Sequence, residues 1–543
     1  MVRKLATVRN IVKRNLQRDS VQLLRLSEEA RKIQGVKDAA LVMGTQTNKE
    51  ILAKLGLLTE EGKAASASDM LLAVKTDSEQ ETERCLREVE QMVLKPPVTK
   101  GRSYYSLEAA VRAMPEANLA VVSIPGEYAR DEVLRVLEAG MSVLLFSDHV
   151  TPEVELELKQ FAKSKDLLVM GPGAGTSFIG GKALGFGNVL RRGRIGIVAA
   201  AGTGLQEVSV LLSEAGFGVS AGLGTGGGDV KSKIGGITML QCIDALERDQ
   251  ETDVVVIVSK PPDSDVRSRV LHHIANNTRK RFVTCFLGQD NYEIPPAVHS
   301  RVRGTKTLHA AFFEAAQAPA DHTETQILNR FTFSPDELVS IANKAAERLT
   351  KTQKYVRGLY TGGTLGYETL VILGRLIGKV YSNAPLEPEM KLVDSYQSLK
   401  DSIVDLGEEE FTAGRAHPMI DPTIRKMRLI EEAKDPEVAV ILMDVMLGYG
   451  SHPDPAGAML GAIKEARKLA EAKGRTIPIL AHVCGTENDP QPRSEQEAKL
   501  KHAGAYLFPT NALMAVAGAL VSRRGSVSKD SLDEVYSNYL RGF

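Results

Sequence analysis

Short continuous apolar runs alternate with amphipathic stretches along most of this chain. Residues 254–258, 282–286 and 438–443 are such runs, and segments with helical periodicity lie between them. A strand that is buried on both faces carries a continuous apolar run, and the intervening helices cover the sheet. The alternation therefore predicts an α/β fold with parallel sheets. A chain of 543 residues is too long for one hydrophobic core, so we expect several domains.

Two parts of the chain resemble each other. Three pairs of segments match in the same order: 199–212 with 359–373, 247–258 with 432–443 and, more weakly, 282–288 with 479–485. The first pair, AAAGTGLQEVSVLL and LYTGGTLGYETLVIL, shares the pattern G-T-x-x-x-E followed by an apolar helix. Matches in a common order indicate an internal duplication. We therefore predict two copies of one flavodoxin-like unit, at residues 190–315 and 355–520.

A Gly-Thr turn precedes the apolar helix in each copy. The first N–H groups of a helix have no intrahelical partner, and the helix dipole adds about half a positive charge there. Glycine allows an anion to come close, and a threonine hydroxyl adds a donor. The alternative is a tight turn that needs glycine only for a positive φ. The residues predicted to bind phosphate are Gly202, Thr203, Gly204, Gln206, Gly362, Gly363 and Thr364.

Three further glycine-rich segments are candidate ligand loops. They comprise Gly171, Pro172, Gly173, Gly175 and Thr176; Gly226, Gly227, Gly228 and Asp229; and Gly448, Gly450 and Ser451. The first follows a buried strand, at the edge where open α/β sheets place ligands. The second packs poorly as a core segment, so either a ligand or another backbone comes close to it, unless it is a mobile loop. No Walker lysine motif occurs, which argues against a nucleoside triphosphate site.

Two histidines in proline-flanked loops are candidate catalytic residues. They are His417, within residues 414–422, and His452, within residues 447–455. Imidazole titrates near neutral pH and can act as acid, base or nucleophile. The alternative for each is a histidine that hydrogen-bonds its own turn. No H-E-x-x-H, no G-x-S-x-G and no carboxylate cluster with ligand spacing occurs, so we expect neither a metal site nor a serine hydrolase.

The charge balance excludes other classes of function. Lysine plus arginine number 68, as do aspartate plus glutamate, so no net field attracts nucleic acid or an anionic membrane. No run of about 18 apolar residues could span a membrane, and no apolar segment follows the basic N-terminus. The four cysteines are far apart. We expect a cytoplasmic protein with reduced thiols.

Motifs along the chain resemble parts of succinyl-CoA synthetase and, more narrowly, the FdrA family. MGPGAGT (170–176) and RRGRIGIVAAAGTGLQEV (191–208) are similar to the synthetase α-chain, and LMDVMLGYGSHPDPAG (442–457) to its β-chain. The motifs similar to FdrA proteins include VMGTQTNKEIL (42–52), RGLYTGGTL (357–365), GRAHPMIDPT (414–423) and CGTENDPQPRS (484–494).

The resemblance implies tandem doubly wound parallel-sheet domains. Residues 1–95 would form a small N-terminal α/β domain, and residues 105–188 would form a CoA-binding-like domain of Rossmann type. Two flavodoxin-like ligase domains of the succinyl-CoA synthetase type would follow at 190–318 and 335–525. Residues 526–543 would be a C-terminal tail. Segments 95–101 and 316–325, with their prolines, would be the hinge and linker between domains.

The resemblance also implies an activity. FdrA-type proteins are associated with anaerobic allantoin breakdown, as one subunit of an oxamate carbamoyltransferase that forms oxamate and carbamoyl phosphate from oxalurate and phosphate. Synthetases carry phosphate on a histidine in a G-H-A-G-A loop; the nearest region here, 287–303, offers only His299. The glycine-rich turn that begins a CoA-binding domain is also missing. Phosphate is thus the expected ligand, held by the helix termini without a covalent bond.

Two alternatives remain open. The chain could be an ADP-forming acyl-CoA ligase, with acyl-CoA, coenzyme A or a nucleotide as ligand, or a non-catalytic assembly or regulatory subunit that retains the fold. A carbamoyltransferase or an acyl-CoA ligase would act on a small-molecule substrate. A carbamoyltransferase of this kind would also have other subunits in a hetero-oligomeric complex.

Overall fold

A computed structural model of the chain describes residues 7–16, 18, 20–94, 103–289, 292–317, 328–412 and 415–541. The predicted hinge at 95–101 and most of the predicted linker at 316–325 lie outside these residues. The chain divides into two compact units. Unit 1 comprises Met1–Tyr104 and Leu406–Arg425, and unit 2 comprises Tyr105–Asp405 and Lys426–Phe543.

Unit 1 contains a three-stranded antiparallel sheet. Its strands are β1 (Thr7–Lys13), β2 (Asp38–Met43) and β3 (Met70–Thr76), in the order β1-β3-β2. Its helices are Ser20–Arg31, Gln46–Lys54, Glu60–Lys63, Glu79–Leu94 and Glu409–Thr412. Apolar residues of the helices, such as Leu23 and Val89, are buried against Leu41 and Leu72 of the sheet. The amphipathic pattern of this region therefore buries one face of each long helix.

Unit 2 begins with a small parallel sheet. Its strands are β4 (Leu119–Val122), β5 (Ser142–Leu145) and β6 (Val169–Met170), hydrogen-bonded in chain order. The helices of this segment are Leu107–Ala113, Gly126–Glu138 and Pro152–Ser164. Three parallel strands in sequential order are what one half of a Rossmann-type sheet contains.

The first repeat and the two strands before it form a seven-stranded sheet. Its strands are β7 (Thr176–Ile179), β8 (Lys182–Gly185), β9 (Arg192–Ala200), β10 (Val219–Gly224), β11 (Val254–Ser259), β12 (Arg281–Phe286) and β13 (Val302–Thr305). Their order is β13-β12-β11-β9-β10-β7-β8. The helices are Gly202–Glu214, which we call repeat helix 1, Ile237–Arg248, Ser264–Asn277 and Leu308–Gln317.

The second repeat forms a six-stranded parallel sheet. Its strands are β14 (Tyr355–Tyr360), β15 (Tyr381–Ser382), β16 (Ser402–Asp405), β17 (Val438–Met446), β18 (Ile479–Cys484) and β19 (Tyr506–Phe508), in the order β15-β16-β14-β17-β18-β19. The helices of this part of the chain are Pro335–Ala346, Gly363–Ile377, which we call repeat helix 2, Thr423–Lys434, Pro455–Glu471, Arg493–His502, Asn511–Ser522 and Lys529–Asn538.

The strand orders support the predicted duplication. Counted from the strand before each repeat helix, the first sheet contains the order 2-1-3-4-5, which is the flavodoxin-like order. The second sheet runs 2-3-1-4-5-6, and it has the same order as the first when the two-residue edge strand β15 is left out. The α/β fold class with tandem doubly wound sheets is therefore confirmed. The expectation of parallel sheets is wrong in two places. The sheet of unit 1 is antiparallel, and at one edge of the seven-stranded sheet β7, which pairs antiparallel with β10, forms an antiparallel hairpin with β8. Gly180 and Gly181 join them at φ values of +58° and +74°, as a two-residue hairpin turn requires.

Candidate functional site

The two repeat helices begin side by side. Repeat helix 1 starts directly after β9 and repeat helix 2 after β14, at the switch point where such sheets bind ligands. The N–H of Thr364 donates a hydrogen bond to Oγ1 of Thr203 at 3.2 Å. A Cβ atom on Gly204 would lie only 2.8 Å from Cγ2 of Thr364. The predicted Gly-Thr turns of the two repeats therefore contact each other.

We expect Gly204→Ala to lower the free energy of unfolding by about 1–3 kcal/mol, because its methyl group would overpack this contact. Urea unfolding followed by circular dichroism would measure the change. Gly374→Ala is the matched control, since, apart from the backbone of repeat helix 2 and the chain neighbours, none of the described residues comes within 4 Å of a Cβ atom at Gly374. That variant should gain about 0.5–1 kcal/mol from the lower helix propensity of glycine. Stabilisation by both variants would mean that the two termini do not touch.

The two helix termini differ in their electrostatic environment. Repeat helix 1 begins without a side-chain cap, and Gly202 and Thr203 are partly exposed. At the other terminus, Asp444 accepts hydrogen bonds from the N–H groups of Thr361 at 2.9 Å and Gly362 at 2.6 Å. A second carboxylate, that of Asp405, lies against the Cα atom of Gly363. The second terminus therefore already binds one carboxylate and faces another, whereas the first has backbone donors to offer an anion.

The glutamate of the first G-T-x-x-x-E motif reaches into the second repeat. Oε2 of Glu207 lies 2.8 Å from Nε2 of His482 in β18, and both side chains are buried. Nδ1 of His482 lies 3.1 Å from the carbonyl oxygen of Phe508, so both ring nitrogens face acceptors. Burial opposes a charge on His482, but the Glu207 carboxylate outweighs it and raises the pKa of His482. Burial likewise opposes the charge on Glu207, but His482 and other neighbours hold the pKa of Glu207 below its usual value.

The glutamate of the second motif reaches back into the first repeat. Oε1 of Glu368 accepts hydrogen bonds from the N–H groups of Leu308 at 2.7 Å and His309 at 3.3 Å, which begin helix Leu308–Gln317. Oε2 accepts a hydrogen bond from Nδ2 of Asn511 at 2.7 Å. Burial raises the pKa of Glu368 to about 7, and burial lowers the pKa of His309 to about 3. The two corresponding glutamates thus differ in their tendency to ionise.

Two of the predicted ligand loops pack against each other near Gly202. The nearest atom to a Cβ on Gly202 would be Oγ1 of Thr176, at 3.8 Å, and a Cβ on Gly226, whose φ is +82°, would lie 2.5 Å from the carbonyl oxygen of Pro172. The sequence left open whether a ligand or another backbone comes close to this loop. At Gly226 it is another backbone. Ligand binding by these loops stays a prediction. The other predicted loop residues have these neighbours: Leu145 for Gly171, Asp148 for Gly173, Phe186 for Gly175 and Glu155 for Gly228, whereas Gly227 has open space beside it.

Asp229 has a structural role at the end of its loop. Its fully buried carboxylate accepts hydrogen bonds from Nζ of Lys159 at 2.8 Å and from the N–H groups of Thr238 and Met239 at the start of helix Ile237–Arg248. Lys159 is also fully buried and forms an ion pair with Glu155 at 2.7 Å. A buried charge pair of this kind fixes the loop against the neighbouring helix.

The third predicted loop contacts the segment that directly precedes β9. The N–H of Tyr449 donates to the carbonyl oxygen of Gly187 at 2.7 Å, and Gly448 and Gly450 pack against Gly187 and Phe186. Ser451 Oγ is 3.5 Å from the carbonyl oxygen of Leu447. Gln206 points to the same junction, where its Nε2 donates to Oδ1 of Asn188 at 3.1 Å. The side-chain amide of Gln206 is therefore bonded away from the Gly-Thr turn, although Gln206 lies only three residues after Thr203 in the sequence.

The candidate catalytic histidines hydrogen-bond their own turns. Nδ1 of His452 accepts from the N–H of Asp454 at 2.9 Å, and Nδ1 of His417 accepts from the N–H of Met419 at 3.3 Å. His417 belongs to unit 1 and His452 to unit 2. These local bonds are the alternative that the sequence left open, and a catalytic role for either residue stays a prediction.

Sequence reasoning missed the two fully buried histidines, His309 and His482. The sequence carried a signal for both residues. His482 has four apolar neighbours in LAHVC, and His309 has three apolar neighbours and Thr307 in TLHAA. Glu207 and Glu368 were recognised as part of the repeat but not as buried charges. Each is the first charged residue of a helix that carries no other charge in its first three turns, and such a charge is rarely buried without a partner.

Related domains would suggest two ligands, a metal ion and coenzyme A. Among the residues that it describes, no cluster of three or more histidine, cysteine or acidic side chains could hold a metal ion. In β4–β6 the helix after the first strand starts at Gly126, and the backbone of Asp148 and His149 lies against its Cα atom. Within the described ranges no helix is long and apolar enough to cross a membrane.

Comparison with known proteins places these features in a family. Residues 359–521 match the family model described as CoA-ligase, and residues 6–106 match that described as AllF, heavy metal-associated domain. The latter segment contains one cysteine, Cys85, which is buried, and no histidine, so its residues do not fit a heavy-metal site. The uncharacterized protein YahF of Escherichia coli (strain K12) is 42% identical over 507 residues, which cover 92% of this chain and 96% of YahF.

Other similar proteins and structures share less sequence identity with this chain. The ADP-forming succinate–CoA ligase subunit alpha of Methanothermobacter thermautotrophicus is 26% identical over 182 residues, 33% of this chain and 60% of that subunit. Among solved structures, ATP citrate lyase from Methanothrix soehngenii in complex with citrate and coenzyme A is 12% identical, with 80% of this chain and 82% of that chain covered at a TM-score of 0.34. The strand order, the CoA-ligase domain and the identity to YahF lead to one conclusion: this chain belongs to the FdrA family of succinyl-CoA synthetase-like proteins.

Proposed function

We propose that this chain is the phosphate-binding subunit of a carbamoyltransferase that converts oxalurate and phosphate to oxamate and carbamoyl phosphate. The observation that carries the proposal is the uncapped start of repeat helix 1 beside the hydroxyl of Thr203. Membership of the FdrA family and the match to the AllF domain agree with it. Other subunits of a hetero-oligomeric complex would supply the remaining groups.

The environment of Thr203 suits a phosphate group. Because Oγ1 of Thr203 accepts a hydrogen bond from the N–H of Thr364, its own O–H is directed elsewhere and is available to a phosphate oxygen. The backbone N–H groups of Gly202 and Gly204 add donors, and the helix dipole favours the negative charge. Asp444 and Asp405 disfavour an anion at the second terminus. Phosphate therefore binds at the first terminus only.

The reaction needs no covalent intermediate on the protein. A phosphate oxygen attacks the carbamoyl carbon of oxalurate, the bond from that carbon to the oxamate nitrogen breaks, and the nitrogen takes up a proton. The products are oxamate and carbamoyl phosphate. The helix terminus stabilises the negative charge that develops on the attacked carbonyl group and on phosphate. His299, in the region where synthetases carry the phosphohistidine, lies with Nε2 2.6 Å from the carbonyl oxygen of Ile294 in its own turn.

We expect Thr203→Val to weaken phosphate binding by about tenfold, since a hydrogen bond to a charged group contributes about 1.5–3 kcal/mol. Isothermal titration calorimetry with phosphate, and phosphate-dependent activity with the partner subunits, would measure the effect. Ser209→Ala is the control on the same helix, because the buried Ser209 hydroxyl has no partner among the described residues. Thr364→Val should change little, since Thr364 contributes its backbone N–H. Equal phosphate affinity in the wild type and in Thr203→Val would contradict the proposal.

The match of residues 359–521 to the CoA-ligase family favours a second candidate, an ADP-forming acyl-CoA ligase. With labelled ATP and a partner subunit, this activity would leave acid-labile phosphohistidine on the chain. Absence of label would exclude it. The third candidate, a non-catalytic assembly subunit, requires that Thr203→Val leaves the activity of the complex intact.

A further inference from the structure

Unit 1 contains a small pocket that the proposed function does not use. It lies between helix Ser20–Arg31, strand β2, helix Gln46–Lys54 and the segment 415–423, and its volume is about 50 Å³. Most of its wall is apolar, with Leu24, Val42, Ile51, Leu52 and Leu55 among the lining residues. Since about 10–15 Å³ holds one water molecule, a pocket of this size admits a ligand of a few non-hydrogen atoms.

One cationic side chain in the pocket wall has an unused donor. The side chain of Arg415 is 6% exposed, and its Nη2 donates to Oδ2 of Asp421 at 2.8 Å. Its Nη1 is buried, and none of the residues that the structure describes accepts a hydrogen bond from it. A buried charged donor without an acceptor is costly, by about 1–3 kcal/mol or more. A ligand that offers an acceptor to Nη1 would remove this cost.

Several other polar groups of the wall form hydrogen bonds or ion pairs within unit 1, among them Nδ2 of Asn48, which donates to the carbonyl oxygen of Met43 at 2.8 Å. Asp421 also accepts hydrogen bonds from the N–H and the hydroxyl of Thr423, at 3.0 and 2.6 Å. The hydroxyl of Ser27 donates to the carbonyl oxygen of Leu23 at 2.7 Å and accepts from the N–H of Leu41 at 2.8 Å. Arg31 pairs with Asp38 at 3.2 Å. Nη1 of Arg415 is the cationic donor of this wall that is left for a ligand.

We propose that this pocket binds a small aliphatic monocarboxylate, with its carboxylate on Nη1 of Arg415 and its carbon chain against the apolar wall. Hydrogen bonds between a guanidinium and a carboxylate are about twice as strong as neutral ones, and the leucine and isoleucine side chains favour a short hydrocarbon group over a hydrated ion. The volume limits the ligand to about the size of propionate. The site lies in unit 1 and does not depend on phosphate binding in unit 2.

The test uses the full chain and propionate, with binding followed by saturation-transfer NMR and calorimetry. We expect saturable binding to the wild type, at least about tenfold weaker binding to Arg415→Gln, and loss of binding in Ala416→Val, which fills the pocket but keeps the arginine. Arg9→Gln is the matched control, because Arg9 lies on β1 with 48% of its side chain exposed. Thr203→Val should bind propionate like the wild type, which separates this site from the phosphate site.

Two results would overturn the proposal. One is propionamide binding as tightly as propionate, since the neutral amide has no carboxylate for Arg415. The other is unchanged affinity in Arg415→Gln, relative to Arg9→Gln, in protein whose circular dichroism spectrum matches the wild type. If Arg415→Gln does not fold, Ala416→Val and the comparison of propionate with propionamide decide.

Discussion

Replacement of His482 with leucine is expected to lower the free energy of unfolding by about 3–5 kcal/mol. His482 and Glu207 are buried and lie 2.8 Å apart across the interface of the two repeats. Leucine fills the space of the imidazole but leaves the Glu207 carboxylate without its cation in a medium of low polarity. A buried, unpaired charge destabilises a fold far more than the loss of a surface contact does.

The urea unfolding transition of unit 2, followed by circular dichroism, would measure this change. His273→Leu is the matched control: Nε2 of His273 lies 2.6 Å from Oδ1 of Asp244, but the two side chains are 18% and 39% exposed. An ion pair that is accessible to water contributes about 1 kcal/mol or less. The double variant Glu207→Gln with His482→Gln should recover most of the loss, since it removes both charges together. Equal costs for His482→Leu and His273→Leu would show that the buried pair is not charged.

The fold was largely predictable because the sheets of unit 2 are built from continuous apolar runs. The runs at 254–258 and 282–286 correspond to β11 and β12 to within one residue. The predicted strand at 438–443 stopped too early, because β17 continues to Met446 through Asp444. The Asp444 carboxylate can be buried there because it accepts hydrogen bonds from the N–H groups of Thr361 and Gly362. These partners are more than 80 residues away in the sequence, so no local pattern could indicate them.

The same physical reason limits prediction of the site. The Gly-Thr turns could be found because the duplication repeats them, and in the structure the two turns contact each other. The carboxylates that distinguish the second turn come from β16 and β17, and nothing in the local sequence of either strand indicates that it faces the turn. For the histidines, loop position was the criterion, which selected His417 and His452. The buried charges of the repeat interface depend instead on pairing across the sheets, as in the contact of His482 with Glu207.

The free energy of unfolding of the wild type, relative to Glu368→Gln, is expected to fall as the pH rises from about 4.5 to about 7. Burial raises the pKa of Glu368 from 4.5 to about 7 in the folded protein. Between these values the folded state binds a proton that the unfolded state has lost, so stability decreases with pH. The slope is at most about 1.4 kcal/mol per pH unit. Urea unfolding of both proteins at half-unit intervals would measure it.

Glu207→Gln provides a control of different sign at the corresponding position of the other repeat. The pKa of Glu207 is lowered in the folded protein, so its contribution is present above pH 4.5 and is lost on acidification below that value. The pKa of its partner His482 is raised above 6.5, so the contribution of the pair declines only above that pH. From pH 4.5 to 6.5, stability relative to the glutamine variant should therefore fall for Glu368 and stay level for Glu207. Parallel curves for the two variants would mean that both glutamates ionise alike, and that the repeat interface holds two buried carboxylates rather than one.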